Sequence, residues 1–449
     1  MRLALPTGFR FSAATSAFQI EGSRGADGTG RSIWDDFLEA PGAIIDGSTA
    51  DPSCDSYRRT DDDVALASGL GLDRYRFSIP WARVQPDGAG TGNALALDHY
   101  SRFVDQLLDA GVTPFPTLFH WEMPSAVEAD GGWLARDTAQ RFADYAAIVA
   151  DRLGDRVSQW YTLNEPAMTT LQGYATGALA PGKQLLFGAL PTVHHQLLAH
   201  AIAAEALRAR GATHVGLVNN HTWVLPLHDS EEDAAAAYVY DILHNRAFSE
   251  PLLDGVYPDL ESLGLPPMPV VDGDLERIRG SIDFYGINFY NPTTVTAAAA
   301  GSPIPFDIVP TPGVPHTGFG EEWPIMPSAL HDLLVDLKRR HPHLPPVIVG
   351  ENGASFPEPA DAVRVDDVDR IDYLSGHLRA VAEAIADGVD VEEYTVWSLL
   401  DNWEWADGYT QRFGLVHVDF ETGERTPKAS YDWYRALIAE ARTHGEEKR

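Results

Sequence analysis

Cysteine is nearly absent from this chain: Cys54 is the only one in 449 residues. One thiol rules out an intramolecular disulfide and any thiolate cluster for a structural metal, which fits a reducing compartment or indifference to redox state. Basic residues are also scarce, with 33 Lys and Arg against 65 Asp and Glu, a formal charge of −32. Nucleic acid and anionic membrane surfaces would repel such a chain, so neither is expected as a partner. No apolar stretch approaches the roughly 18 residues of a membrane-spanning helix. Residues 1–21 lack a charged start followed by an apolar run, so no leader is read and the expected location is cytoplasmic. No Gly-rich turn follows a strand in a way that would cradle a nucleotide. His194-His195 and His341-Pro342-His343 lack the spacing and carboxylate companions of a zinc site. Neither cofactor nor metal is therefore expected.

What is present is enough apolar material for a large core, 44% of the residues, arranged without linker, repeat or low-complexity tract. Strand-like runs cover 10–17, 73–79, 113–121, 158–165, 214–223, 282–290, 346–351 and 393–400. Helical patterns lie between them at 97–110, 139–153, 192–210, 328–340 and 371–387, with a last one at 428–441. The acidic run Thr60-Asp61-Asp62-Asp63 precedes another helix and meets its positive dipole end. Eight strands, each followed by a helix, are the arithmetic of an α/β fold, a single (β/α)8 TIM barrel spanning 1–449. The long connections 35–55, 167–184 and 291–326 follow or flank the C-terminal ends of strands, the barrel face at which sites are built.

Polar residues gather at those strand ends. Gln19 and Glu21 follow the first strand, Arg76 lies in the second, and His120 and Trp121 close the third. Asn164 and Glu165 close the fourth, Asn288 and Tyr290 the sixth and Glu351 the seventh, while Trp397, Glu404 and Trp405 belong to the eighth. Two carboxylates on separate strand ends, Glu165 and Glu351, are the minimum equipment for cleaving a glycosidic bond. One must be protonated to assist the leaving oxygen, and the other ionised to attack or to activate water.

Several stretches together resemble the β-glucosidase family, glycoside hydrolase family 1. They are Ser16-Ala17-Phe18-Gln19-Ile20-Glu21-Gly22, Tyr75-Arg76-Phe77-Ser78-Ile79-Pro80-Trp81, His120-Trp121, Thr162-Leu163-Asn164-Glu165-Pro166, Glu351-Asn352-Gly353, Trp397 to Asn402, Glu404-Trp405 and Arg412-Phe413-Gly414-Leu415. The resemblance implies that Glu165 is the general acid/base and Glu351 the nucleophile of a double displacement that retains the anomeric configuration. It implies that Arg76 keeps Glu351 ionised, that Tyr290 donates a hydroxyl to it, and that Asn164 grips the sugar 2-hydroxyl. Gln19, His120 and Glu404 would hold the outer hydroxyls. Trp397 and Trp405 would form an apolar platform and wall, Trp323 would stack on the aglycone, and Trp121, Asn288 and Phe413 complete the expected substrate-binding set. The implied partner is a small β-glycoside cut from its terminal, non-reducing end; whether the chain is a monomer or a homo-oligomer stays open.

Family members that act on 6-phosphoglycosides place a Ser with nearby Lys and Tyr where Glu404 stands, so this chain is expected to favour an unphosphorylated β-D-glucoside, galactoside or fucoside. A sugar-binding barrel without catalysis would have lost one carboxylate, and both are present; a transglycosylase would carry the same residues. Gly350 stands where the family commonly has Thr, Glu122 where it has Asp, and Asp55-Ser56-Tyr57-Arg58 and Gly177 to Gly182 also depart from its pattern. Trp81, Trp133, Trp160 and Trp433 read as packing, and Asp73 and Asp401 as loop and strand-end hydrogen-bonders.

Overall fold

A parallel strand covered on both faces can bury apolar side chains in succession, as at 215–218 and 346–349, and polar residues are interspersed elsewhere in the eight runs. In the computed structural model, which describes residues 4–358 and 364–446, they become β1 (Arg10–Ala14), β2 (Arg74–Ser78), β3 (Thr113–Phe119), β4 (Gln159–Asn164), β5 (His214–Asn220), β6 (Tyr285–Asn288), β7 (Val347–Asn352) and β8 (Val391–Trp397). Each pairs in parallel with its neighbours in chain order, and β8 returns to β1 to close the barrel. Residues 1–3 of the segment read as leader-free, and the far ends of the expected 1–449 domain, lie outside the described residues.

Outside the barrel run α1 (Thr60–Leu70), α2 (Ala94–Asp109), α3 (Thr138–Leu153), α4 (Pro191–Arg208), α5 (Glu231–Asp241), α6 (Pro327–Arg340), α7 (Val368–Ala386) and α8 (Ala429–Glu446). The structure corrects several expectations. Most runs overshoot their strands: 113–121 stops at Phe119, 282–290 shrinks to Tyr285–Asn288, and 10–17 gives way to a short helix at Ala17–Ile20. The residues cut off leave the barrel as loops and carry side chains to its mouth. The acidic run does not precede α1 but forms its first turn, where the dipole argument holds equally.

The connection 291–326 is not irregular. Thr293–Ala297 pairs antiparallel with Phe306–Val309 and parallel with Val224–Pro226, and a hairpin joins His316–Thr317 to Gly320–Pro324. Its Gly and Pro content had masked short strands. The helix after β5 has no counterpart among the expected ones. There α5 passes through a π turn, Ile242–Arg246, into Ala247–Leu253.

The barrel interior is layered. Phe115, Tyr161, Val218, Phe284 and Ile348 fill the middle, with Phe115 stacked on Tyr161 at 4.3 Å between centroids. Gly216 is required there, because a Cβ would meet the Phe284 ring at 2.5 Å. Below this layer Glu393 accepts from Ser12 Oγ and Arg74 Nη1, each at 2.5 Å; above it the Arg76 guanidinium lies over Tyr161, 4.8 Å from its centroid. Trp81, Trp133 and Trp160 are fully buried, as packing residues should be, and Trp433 is partly so.

Where β7, β8 and α8 meet, Lys428 is fully buried and donates to Asp401 Oδ1 at 2.8 Å and to Glu358. Glu358, Asp401 and His417 bring ligand-type atoms within 4.8 Å of one another, but the Lys428 ammonium already supplies the cation. Asp401 also accepts from the Gly414 amide, so the ammonium ties α8 to both sides of the mouth segment 398–414. Lys428→Met removes the cation shared by Glu358 and Asp401 and leaves them the longer contacts to Arg370 and Arg412, each at 3.4 Å, and the expected cost is about 3 kcal/mol in urea unfolding. A loss below about 1 kcal/mol would show that Arg370, Arg412 and His417 take over the pairing.

Candidate active site

The strand ends deliver their side chains through sharp backbone turns. Glu165 follows β4 with φ 48° and ψ 62°, its amide donating to Val218 O of β5, and Pro166 then starts a helical turn. Trp121 turns the same way after β3, at φ 66°. A left-handed conformation is costly for a residue with a Cβ and persists where the surrounding structure dictates it. Here it points both side chains into the mouth of the barrel.

Arg76 is the hub. Its Nη1 donates to Glu351 Oε1 at 2.6 Å and to Gly350 O at 2.9 Å, its Nη2 to Asn164 Oδ1 at 2.7 Å, and its Nε to Thr117 Oγ1 at 3.1 Å. The Tyr290 hydroxyl donates to the other Glu351 oxygen at 2.5 Å. Burial pushes the Glu351 carboxyl above its ordinary 4.5, and Arg76 and Tyr290 pull against that rise. Glu165 has no cation in contact. Its Oε1 accepts from Asn288 Nδ2 at 2.7 Å and from Asn220 Nδ2 at 2.9 Å. Burial, and then the charge on Glu351, push it up to about 8. The pair thus separates into a carboxylate beside a guanidinium and a carboxylic acid among amides. With Oε1 accepting twice, the Glu165 proton belongs on Oε2.

The same polarity reasoning fixes His120. Asn164 Oδ1 accepts from Arg76 and from Asn288 Nδ2, so Asn164 Nδ2 must be the donor to His120 Nε2 at 3.1 Å. Nε2 is then bare and the proton sits on Nδ1, a buried donor with no protein partner. Burial and the nearby Arg76 hold this imidazole neutral, well below its usual range. Across the mouth Gln19 Nε2 donates to Asn402 Oδ1 at 2.9 Å, Trp403 O at 3.1 Å and Glu404 Oε2 at 3.1 Å. Glu404 keeps part of its surface open to the mouth, yet its deep setting, Asp407 and Glu351 raise its carboxyl well above the ordinary range.

The aromatic walls form two groups. Trp405 packs on Trp121 at 4.7 Å and Trp34 at 4.6 Å. Trp397 and Phe413 share a cluster with Tyr290, Phe319 and Trp323, in which Trp323 stacks on Phe319 at 4.4 Å.

Of the residues expected at the mouth, Glu165, Glu351, Arg76, Tyr290, Asn164, Asn288 and His120 share one hydrogen-bond network. Gln19 and Glu404 are joined at its edge, and Trp121, Trp323, Trp397, Trp405 and Phe413 wall it. Glu21 is the exception: it turns away to Arg83 at 3.0 Å and to the Tyr100 hydroxyl at 2.8 Å. Sequence reasoning missed Asn220, which lies inside the fifth run, 214–223, and ends β5 in the structure. Phe319 and His244 were missed because the elements that place them were themselves not expected.

The sequence pattern of glycosyl hydrolase family 1 matches residues 1–443. The chain is 43% identical to a bifunctional β-D-glucosidase/β-D-fucosidase of Bifidobacterium breve, over 98% of this chain and 99% of that one. It is 39% identical to a 1,4-β-D-glucan glucohydrolase of Thermotoga neapolitana, over 96% and 98% of the two chains. The crystal structure of a psychrophilic β-glucosidase from Micrococcus antarcticus superposes with a TM-score of 0.93 at 42% identity, covering 98% of this chain and 100% of the other.

In ¹³C NMR of glutamate-labelled protein, the Glu165 carboxyl should titrate near 8. Glu351→Gln removes one of the two causes of the rise, so the midpoint should fall yet stay above the ordinary 4.5, because burial remains. An unchanged midpoint would mean that the two carboxylates do not sense each other.

Proposed function

The chain belongs to glycosyl hydrolase family 1, and from that membership we propose that it is a retaining, exo-acting β-glucosidase acting on terminal, non-reducing, unphosphorylated β-D-glucosides. One observation carries the reading of the site: two buried carboxyls in opposite environments, Glu351 against Arg76 and Glu165 among amides.

The chemistry runs in two displacements. Glu351 attacks the anomeric carbon as Glu165 gives its proton to the glycosidic oxygen; that C–O bond breaks with its electron pair on the leaving alcohol, and an α-linked glycosyl ester forms. Esterification removes the negative charge from Glu351. One of the two causes holding the Glu165 pKa up is then gone, and the group now sits as a carboxylate. It takes a proton from water, the water oxygen attacks the anomeric carbon, and the ester bond breaks to return Glu351 as a carboxylate. Two inversions leave the β configuration unchanged. Asn164 Nδ2 has a second hydrogen beyond the one given to His120, and that hydrogen is the donor for the 2-hydroxyl.

Selectivity rests on Gln19, His120 and Glu404 at the outer hydroxyls and on the Trp397 and Trp405 surfaces, with Trp323 and Phe413 toward the aglycone. A 6-phosphate would meet the negative charge of Glu404, Asp407 and Glu351, and is rejected. β-D-Galactosides, which differ from glucosides in the axial 4-hydroxyl, and β-D-fucosides, which in addition lack the 6-hydroxyl, are accepted as well. Cellobiose and short β-1,4-glucans are further proposed substrates, a reading supported by the relative named a 1,4-β-D-glucan glucohydrolase, and the chain is proposed to be a single catalytic domain. No helix among the described residues is long and apolar enough to cross a membrane.

The direct test compares kcat/KM for p-nitrophenyl β-glucoside, galactoside, fucoside and 6-phosphoglucoside. The glucoside or fucoside should lead, with no measurable turnover of the phosphorylated sugar; preference for the phosphate would overturn the role given to Glu404. For Glu351→Gly, turnover should fall at least about 10⁴-fold, and azide should restore it as the α-glucosyl azide, because a small anion fills the vacated face. A β-azide from this variant would reverse the two carboxylate roles.

A further inference from the structure

The acid/base carboxyl is backed by a short relay that no expected site residue supplies. Asn220 Nδ2 donates to Glu165 Oε1 at 2.9 Å, so the Asn220 carbonyl faces the other way, where His244 Nε2 lies 2.9 Å from it. A carbonyl can only accept, which places the His244 proton on Nε2. Nδ1 is then bare and accepts from the Tyr240 hydroxyl at 3.2 Å. His244 is buried, and its imidazole is held neutral, so the polarity of the relay does not reverse near neutral pH.

The backbone that sets this imidazole is unusual. His244 stands in the π turn Ile242–Arg246, which interrupts the helix leaving α5; such turns recur at functional positions. Its neighbour Asn245 grips the same strand end: Oδ1 contacts His221 Nδ1 at 2.9 Å and accepts the Thr222 amide at 3.2 Å, and Nδ2 donates to Thr222 O at 2.9 Å. Two successive residues of one turn thus clamp residues 220–222.

We propose that His244 is a positioning residue for catalysis: by holding the Asn220 amide with its N–H toward Glu165 Oε1, it acts with Asn288, which donates to the same oxygen, to keep the transferable proton on Oε2. The inference rests on Glu165 being the acid/base. Without His244 the Asn220 amide is free to rotate and present its carbonyl to Glu165. A protonated Glu165 would then donate from Oε1 to Asn220, away from the glycosidic oxygen, and the ionised form would lose a donor. Both effects favour the protonated, misdirected state. The other groups facing Glu165 stay in place: Glu351 on β7, Arg76 on β2, Tyr290 after β6 and Glu404 after β8. Those facing His244 are Tyr240 from α5 and His221 from the end of β5.

The test compares His244→Leu, which removes the donor, with His244→Gln, whose side-chain amide can place an N–H where Nε2 was. The readouts are the alkaline limb of kcat/KM and the rates on a methyl and a 2,4-dinitrophenyl β-glucoside. His244→Leu should move the limb up by about one pH unit, the size of one hydrogen bond to a charged group. It should slow the methyl glucoside at least about tenfold more than the dinitrophenyl one, since only the former needs the acid. His244→Gln should restore both. A limb that stays put with equal losses on both substrates, or that moves alike in both variants, overturns the proposal. If His244→Leu does not fold, Tyr240→Phe, which releases the far end of the relay, should give a smaller shift in the same direction, and no shift would count against it. Carboxyl ¹³C titration of Glu165 reads the same displacement without turnover, so it decides this inference even if the wild-type protein cleaves none of the glycosides.

Discussion

The buried ion pair between Arg76 and Glu351 is the constraint on which the rest of the mouth depends. A carboxylate taken out of water is tolerated when a cation and further donors meet it, and Glu351 has the guanidinium on one oxygen and the Tyr290 hydroxyl on the other. Because Arg76 also donates to Asn164, Gly350 and Thr117, one side chain from β2 fixes groups on β3, β4 and β7 at once. The guanidinium in turn rests on Tyr161, the top of the aromatic layer that fills the barrel. Packing of the core and charge at the site are therefore one structure, and a change in the middle layer would be felt at the carboxylate.

From that pair the protonation of everything around it follows. Burial first, and then negative neighbours that the single cation does not offset, make the remaining acids, Glu165 and Glu404, hold their protons more tightly than usual. The amide orientations follow too. Arg76 takes the Asn164 carbonyl, which leaves its amide for His120 and sets that imidazole's proton on the far nitrogen. On the other side Asn220 is set by His244, and the Glu165 proton by Asn220 together with Asn288. The protons are ordered in this way because the buried amides of Asn164 and Asn220 each have one orientation that satisfies their neighbours.

Much of this was legible in the chain. The run 346–351 opens with Pro346-Val347-Ile348-Val349, apolar without alternation, and that pattern belongs to a strand covered on both faces. The polar residues that end runs such as 158–165 and 346–351 land at the mouth because all strands are parallel and all carboxyl ends share one face. Less legible was whatever depends on backbone geometry that side-chain periodicity does not encode. The Ala-rich Glu231–Asp241 segment and its π turn gave no clean helical stripe, so the helix behind Glu165 and its His244 went unseen. Glycine and proline in 291–326 concealed the short strands that carry Trp323. Glu21 matched the family stretch around Gln19 but turned away, because Arg83 and Tyr100 offer it a buried partner and a donor.

The most direct test of the account is to find which carboxyl becomes covalently glycosylated. A 2-deoxy-2-fluoro-β-glucosyl fluoride slows both displacements while its leaving group keeps the first one accessible, so the glycosyl ester accumulates and can be located by peptide mass spectrometry. The label should sit on Glu351, and Arg76→Met should slow its formation. A label on Glu165, or steady turnover with inversion and no label at all, would contradict the division of roles between the two carboxyls.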